Sequence, residues 1–376
     1  NPEFGYFASD NVDDRMYWFL NQNQLHLLQN IERKKPTYGS LALTDTHYYV
    51  MREGWNANDK MMMISAGLDE DKPDHQHGDM LGIQAMANGH AILPNYQVRY
   101  SLKDFELFKN SMVKNVALVD NELQGKQWTS NKGGSGFGKF GNLPKPTVIN
   151  WTTHKDYDLF IGKHDGFDNV GVSYSRQVIS VKNDFWIVKD NFSSDQEHEY
   201  KQVWQGHYTN ENGSNLLRAT APDASGHDIL QLYATDTVIT SGSRGKNWSQ
   251  VSKLNEKNFS FLTLIYPYKG YDNRIDETSE TLNLNEWNIN ASLSKIQNAG
   301  YTIISKENTA YFFNANNILF KELSVRTSKN ADFIIQKVGN TYRITSTSAD
   351  ENSFTVSKLK SPEETKTLLP GETWEL

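Results

Sequence analysis

Apolar and polar positions alternate with a period of two along most of the chain beyond its first 40 residues, a pattern typical of β-strands. Residues 11–34 differ, because their apolar side chains recur at helical spacing. Asn11 and Asp13 are available to cap the start of this helix, and a run of cations precedes Pro36 at its end. The pattern therefore predicts one N-terminal helix over residues 11–34, followed by an almost entirely β protein.

A β-hairpin is predicted around the dipeptide Asn88-Gly89. The apolar run 82–87 lies before this dipeptide, and the run 90–93 follows it. Asparagine and glycine both tolerate the positive φ angles that a two-residue turn requires. Residues 82–93 are therefore expected to fold back on themselves as two antiparallel strands.

The same criteria divide the rest of the chain into a large and a small β unit. Further strands are predicted at 46–52, 60–66, 115–120, 177–181, 185–190, 200–204, 229–234 and 259–266. Short strands at regular spacing then follow a polar stretch, at 301–304, 309–313, 317–323, 333–337, 342–345 and 354–358. We predict three units: a helical segment at 1–37, a large antiparallel two-layer β-sandwich at 38–285, and a small C-terminal β domain at 286–376.

Composition narrows the classes of protein that fit. The 376 residues are 37% hydrophobic and 22% charged, which is typical of a folded protein with a core. A net charge of -7 argues against a nucleic-acid partner, although a local basic cleft for an anionic substrate stays open. The absence of cysteine excludes disulfides and thiolate metal sites, and no apolar run is long enough to span a membrane. Because the sequence starts at Asn1, we expect a processed or partial product.

The clearest chemical signal is the segment His75-Gln76-His77-Gly78-Asp79. In an extended segment, residues i and i+2 point to the same side, so both imidazoles are expected to project into one space. Imidazoles that converge on a cavity suit proton transfer or metal binding. Histidine pairs of this spacing also occur on solvated loops, and that interpretation stays open.

Several short segments, in unbroken order across roughly residues 38–210, resemble one enzyme family. They are 48–52, 75–79, 88–89, 93–96, 114–120, 162–167, 175–178 and 186–190. Together they resemble the heparinase II/III-like polysaccharide lyases. The resemblance implies an N-terminal α/α toroid, a β-sandwich and a small β domain. The toroid, apart from its last helix, is missing from this sequence and is expected on a separate chain or to have been removed.

The resemblance implies β-elimination on an acidic polysaccharide that contains uronic acid, such as a glycosaminoglycan or alginate. Such an enzyme is expected to be secreted or periplasmic. A lyase must stabilise the substrate carboxylate, remove the proton beside it and protonate the leaving glycosidic oxygen. The resemblance assigns these catalytic tasks to Tyr100, His75 and His77, with His75 as the base or as a contact to the carboxylate.

Further side chains are predicted to bind substrate. Arg52 and Arg99 are candidate carboxylate ligands, because a guanidinium binds a carboxylate in a bidentate fork. For Arg176 two roles are possible: binding of the substrate carboxylate, or an ion pair with Asp190 inside the sandwich. His207 is a candidate for the same cleft, alongside a surface role.

The sequence departs from the family at the positions of its zinc ligands, which here read His77, Asn95 and Lys114. Asparagine is a poor zinc ligand and a protonated lysine is none. We therefore predict no metal and no other cofactor. Asn95 and Lys114 are instead expected to face the substrate, and the Lys114 ammonium is hypothesised to occupy the space and supply the charge of the ion.

Two other functions remain open at this stage. A uronate epimerase of the same fold would share the proton abstraction but return a proton to the other face of the sugar. A non-catalytic carbohydrate-binding β protein would account for the lost metal ligands and the missing toroid. In each case the expected partner is an acidic polysaccharide, with no nucleic acid and no membrane.

Overall fold

The computed structural model describes residues 2–6, 14–67, 75–95, 105–130, 138–210, 215–243, 246–276, 282–290, 301–358 and 361–376. Helices are short in this part of the chain. They are α1 (Pro2–Gly5), α2 (Gln22–Gln29) and α3 (Phe105–Lys109), with 3-10 turns at Asp14–Trp18, Ser111–Val113, Asp168–Val170 and Tyr271–Asn273. None of the helices described is long and apolar enough to cross a membrane.

The prediction of one helix over residues 11–34 is wrong for the residues that the structure describes. Helix α2 starts anew at Asn21, whose side chain accepts a hydrogen bond from the Gln24 backbone while the Gln24 side chain accepts one from Asn21. Such a capping box ends any preceding helix, because the cap residue is extended. The predicted apolar stripe is also uncovered: Phe19 is 82% exposed and Leu27 is 69% exposed.

Five antiparallel strands form the first sheet. In spatial order they are β1 (Leu41–Leu43), β2 (Tyr48–Arg52), β3 (Met61–Ser65), β4 (Ile83–Ala87) and β5 (His90–Leu93). The predicted hairpin is confirmed, since Asn88 and Gly89 have φ angles of 54° and 82° between β4 and β5. Alternation along β3 places Met62 and Ile64 in the core and Met61 and Met63 on the opposite, partly exposed face.

The second sheet is larger and also antiparallel. Its main path is β13 (Thr209–Asn210), β14 (Leu216–Thr220), β15 (Ser225–Gln231), β17 (Lys246–Lys269), β12 (Trp186–Gln205), β11 (Ser173–Val181), β10 (Tyr157–His164) and β9 (Pro146–Thr153), with β16 (Thr237–Ser243) on β17 and β6 (Ala117–Val119) on β12. The predicted strands 185–190 and 200–204 are parts of the single strand β12. Register shifts between Ser193 and Tyr200 mark bulges that the pattern does not reveal.

These two sheets pack face to face as the predicted β-sandwich. Side chains such as Met62 and Ile64 of the first sheet share a core with Phe160, Val188 and Trp204 of the second. A separate two-stranded hairpin, β7 (Lys126–Thr129) and β8 (Lys139–Asn142), lies beside this pair. The mostly β fold class is therefore confirmed.

A third sheet, formed by C-terminal residues, covers the other face of the second sheet. Its main path is β18 (Leu282–Leu284), β19 (Trp287–Ile289), β20 (Thr302–Lys306), β21 (Thr309–Phe320), β22 (Leu323–Val338), β23 (Thr341–Ser346) and β26 (Thr373–Glu375), with β24 (Asn352–Lys358) and β25 (Glu364–Leu368) attached through β22. The predicted strands 309–313 and 317–323 merge into β21 and its turn. Trp287 and Tyr311 share a core with Leu159 and Leu264, so the C-terminal sheet is firmly attached to the sandwich.

Candidate active site

A cavity of about 380 Å³ lies at one end of the five-stranded sheet. Residues from the β1–β2 turn, the end of β3, the segment 75–80, β4 and the exit from β5 meet there. The lining residues are Asp45, Thr46, His47, Tyr48, Ser65, Gly67, His75, Gln76, His77, Asp79, Met80, Gln84 and Asn95. The structure therefore brings His75, His77 and Asn95 together at one cavity.

The segment 75–81, called the histidine loop below, is fixed by hydrogen bonds from its backbone. Gly78 donates to the Lys109 carbonyl over 2.7 Å, and Met80 donates to the side chain of Gln124 over 2.8 Å. A Cβ at Gly78 would lie 2.8 Å from Oδ1 of Asn110 and 3.0 Å from the backbone nitrogen of Gly125, so a side chain there would force these neighbours to shift. The loop thus presents its imidazoles from a rigid backbone.

Lys114 lies directly behind the cavity and is only 1% exposed. Its Nζ is 2.8 Å from Nδ1 of His77 and donates to Oδ1 of Asn95 over 2.6 Å. The three positions that the sequence singled out as departures from the zinc-binding pattern therefore meet at one point. The ammonium joins the histidine loop to the segment that leaves β5.

The contact with Lys114 fixes the chemical state of His77. Burial, with further contributions from the nearby charges of Lys114, Lys109 and His75, lowers the pKa of His77 to about 3. The ring is therefore neutral at ordinary pH. An ammonium group only donates hydrogen bonds, so Nδ1 accepts and the ring proton sits on Nε2. His77 is thus a neutral hydrogen-bond donor through Nε2–H.

Asp79 and Tyr48 form a second polar pair at the cavity. Burial raises the pKa of the Asp79 carboxyl, and the positive charge of Lys114 acts in the opposite direction. The pKa of the Tyr48 phenol is raised as well, first by burial and then by the Asp79 charge. The Tyr48 hydroxyl therefore keeps its proton at neutral pH and is available as a donor.

Asn115 connects the elements around the cavity. Its side-chain nitrogen donates to the carbonyls of Ile83 and Pro94, and its side-chain oxygen accepts from the Gln205 backbone. Pro94 precedes Asn95, and Asn115 follows Lys114. The hydrogen bond from the Asn115 amide to the Pro94 carbonyl therefore holds Asn95 close to Lys114. The Gln205 side chain adds a hydrogen bond to the Lys114 carbonyl.

Arg176 supports the same region from inside the sandwich. Its Nε forms a buried ion pair with Asp190 at 2.7 Å. Its Nη1 donates to the carbonyls of Leu81 and Asn115. Of the two roles open from the sequence, the structure thus shows the ion pair with Asp190. Arg176 is 0% exposed and does not reach the cavity.

Two further predicted site residues that the structure describes, Arg52 and His207, do not line this cavity. Arg52 lies at the far end of β2 from Tyr48, roughly 13 Å along the strand, where its guanidinium stacks on Trp55 at 3.8 Å. His207 is exposed next to the buried Tyr208 and does not line the cavity. Arg99 and Tyr100 lie outside the described residues. Their roles in binding and catalysis stay predictions.

His47 and Tyr48 line the cavity although the sequence reasoning did not select them. A signal was present for Tyr48, because it starts a strand whose alternate positions, Tyr49 and Met51, are buried. Strand alternation places the Tyr48 side chain on the opposite face from those two. Nothing in the local pattern says that this face borders the histidine loop.

The sequence matches the family model described as heparinase II/III-like, C-terminal, over residues 35–277. The chain belongs to this family. No match was found among curated proteins. The matched region includes the histidine loop, Asn95 and Lys114, so the cavity is part of the heparinase II/III-like unit.

Solved structures of similar fold agree with this assignment. A heparan sulfate lyase HepC from Pedobacter heparinus is 15% identical, with a TM-score of 0.53, and the match covers 79% of this chain and 45% of that one. A heparinase III is 12% identical, with a TM-score of 0.52, over 98% of this chain and 52% of that one. At such identities the likeness shows the fold alone. The heparinase II/III-like chain spans about half the length of these proteins.

The residues present do not fit the zinc ion that the family resemblance implies. The contacts of Lys114 Nζ include one imidazole and one neutral amide, and the ammonium, which stands at the position of a zinc ligand, has no lone pair to offer. Within the described ranges, no group of three or more histidine or acidic side chains is placed to hold a metal ion. No step of the chemistry below is therefore assigned to a metal.

Proposed function

We propose that this chain forms one wall of the active site of a polysaccharide lyase, which cleaves an acidic polysaccharide containing uronic acid by β-elimination. The observation that supports it is the convergence of His75 and His77 on one cavity with a buried cation, Lys114, behind them. Because the chain belongs to the heparinase II/III-like family, we propose a catalytic role for these side chains and not a purely structural one.

The proposed reaction moves one proton off carbon and one onto oxygen. A base removes the proton beside the uronate carboxylate, the electrons form a carbon–carbon double bond, and the bond to the glycosidic oxygen breaks. A proton is delivered to the leaving oxygen, and no water is consumed. In this scheme the Nε2–H of His77 and the charge of Lys114 stabilise the carboxylate as negative charge spreads onto it. His75 is the proposed base or a carboxylate contact.

A phenol is the proposed partner of the histidines in proton transfer. Tyr100 keeps this role from the sequence, and Tyr48 is a second candidate because it lines the cavity with a protonated hydroxyl. Positioned acids and bases of this kind each contribute roughly 10²–10⁴-fold to rate. Arg99 and His207 keep the substrate-binding roles predicted from the sequence. Arg52, which lies away from the cavity, is proposed to contact a uronate group further along the polymer.

The proposal includes a helical domain that completes the cleft. Trp18 and Phe19 are 87% and 82% exposed, which is a large apolar surface for two adjacent residues. We propose that an α/α toroid, in a longer form of this protein or on a partner chain, covers them. Because the substrate is a polymer, we propose that the enzyme works in the periplasm or after secretion.

The direct test is a screen of acidic polysaccharides for absorbance of the new double bond. The native protein, together with its helical domain, is compared with His75→Ala and with His90→Ala under the same conditions. His90 is an exposed histidine that pairs with Asp223 outside the cavity. We expect activity in the native protein and in His90→Ala, and a loss of at least 100-fold in His75→Ala.

Two results would contradict the lyase. Exchange of the uronate proton with solvent deuterium, without new absorbance, would indicate an epimerase. Saturable binding without exchange or absorbance, on the protein together with its helical domain, would indicate a carbohydrate-binding protein. Equal activity of His75→Ala and the native protein would remove His75 from the mechanism.

A further inference from the structure

Lys114 is buried, and its ammonium contacts two separate segments of the chain. It is 1% exposed, and its Nζ touches lone pairs from two separate segments, Nδ1 of His77 and Oδ1 of Asn95. Burying an ammonium is costly unless polar partners replace its water. Lone-pair atoms from separate loops that converge on one positive centre are also what defines a bound metal ion.

We propose that the Lys114 ammonium is the built-in cation of this site, which cross-links the histidine loop to the exit of β5 and makes the site independent of metal. The proposal does not rest on lyase activity. It concerns what holds the cavity together and what supplies positive charge behind it, and both can be measured on the protein without a substrate.

A second buried ammonium, that of Lys109, lies near His77 and disfavours an added metal ion there. Lys109 is 2% exposed, donates to the Gly138 carbonyl over 3.1 Å, and acts with Lys114 to lower the pKa of His77. A divalent ion at His77 would meet the repulsion of both ammonium groups in a poorly solvated region. Asp79 is the nearby acidic group that feels the charge of Lys114.

The decisive experiment restores metal-binding chemistry at the same position. The double variant Asn95→Asp/Lys114→His replaces a neutral amide and a cation by a carboxylate and an imidazole, next to the existing His77. Three such ligands and one water are a common zinc set. Each protein is incubated with zinc, passed over a desalting column and analysed for metal content. We expect about one zinc per chain in the double variant and essentially none in the native protein.

Thermal unfolding with and without a chelator provides the second measurement. The native protein is expected to keep the same Tm in both conditions. The double variant with zinc is expected to lose Tm when the chelator is added. Lys114→Met, which removes the cation but keeps the stem, is expected to lower Tm by about 5 °C with no rescue by zinc. Lys163→Met, at an exposed lysine on β10, is the control and should leave Tm unchanged.

Retention of about one zinc per native chain, with a Tm that falls on chelation, would overturn the proposal. So would a Lys114→Met variant as stable as the native protein. If the double variant does not fold, the zinc content of the native protein and the Tm of Lys114→Met still decide the matter. A metal-free native protein together with a destabilised Lys114→Met supports the built-in cation.

Discussion

The Nζ atom of Lys114 lies 2.8 Å from Nδ1 of His77, although 37 positions separate the two residues in the sequence. This contact makes His77 a neutral donor through Nε2–H, since the ammonium occupies the lone pair of Nδ1. The same ammonium reaches Asn95, so one side chain organises the wall of the cavity. The predictions that follow test how this wall is built and what it does.

The two candidate phenols can be separated by removing one hydroxyl at a time. If Tyr48 transfers a proton, Tyr48→Phe should lower kcat by roughly 10²-fold or more and leave KM little changed. If Tyr100 has this role, the loss should follow Tyr100→Phe instead. Tyr49→Phe, on the buried face of the same strand, is the control and should keep full activity. Two fully active variants at positions 48 and 100 would exclude both of these phenols from the chemistry.

Removing one partner of the buried pair of Arg176 and Asp190 is expected to destabilise the protein strongly. Asp190→Asn leaves an uncompensated guanidinium in the core and should lower the free energy of unfolding by about 3–5 kcal/mol. Urea denaturation measures this loss. The exposed pair of Arg326 and Glu363 provides the control, and Glu363→Gln should change stability by less than about 0.5 kcal/mol. Equal effects of the two substitutions would contradict the structural role of Arg176.

Replacing the side-chain amide of Asn115 is predicted to destabilise the folded protein. Asn115→Asp keeps the shape but turns the donor toward the carbonyls of Ile83 and Pro94 into an acceptor. We expect a loss of about 2 kcal/mol or more in the free energy of unfolding, because a buried acceptor then faces two others. Asn283→Asp on the exposed side of β18 is the matched control. A native-like denaturation curve for Asn115→Asp would show that this connection is dispensable.

Stability is predicted to fall in mild acid because of buried neutral histidines. Burial lowers the pKa of His164 and of His227 from 6.5 to about 3. Below about pH 6.5 these histidines bind protons in the unfolded chain but stay neutral in the folded chain. The free energy of unfolding therefore falls as the pH drops toward 3. Each such histidine contributes a slope of about 1.4 kcal/mol per pH unit in the middle of this range.

The slope can be assigned with one pair of variants. His227→Phe removes a titrating group and should flatten the pH dependence of the free energy of unfolding by one histidine. Tyr208→Phe removes the hydroxyl that lies 3.1 Å from Nε2 of His227 but keeps the imidazole. Relative to the native protein, Tyr208→Phe should lower the free energy of unfolding by a similar amount at every pH, so the slope should not change. An unchanged slope in His227→Phe would contradict the buried neutral state.

Part of the candidate site could be predicted from the sequence, because some of its residues stand out by their type and by their spacing along the chain. The spacing of His75 and His77 and the departures at Asn95 and Lys114 are visible in the sequence. The structure places His75 at a 3-10 turn, followed by irregular backbone and not by a strand. Tyr48 could not be selected, since its neighbours at the cavity come from the loop near residue 79. The placement of Arg52 was equally hidden, because stacking on Trp55 depends on the turn between β2 and β3.

The sequence alone determined the β character of the chain, the Asn88-Gly89 hairpin and the family, because strand alternation and turn preference act over a few residues. Tertiary structure alone decided that Arg176 pairs inside the sandwich and that Lys114 is buried against His77. Those outcomes depend on which distant segments pack together. The free energy of a buried charge is set by the partners that the fold supplies and not by its neighbours in sequence.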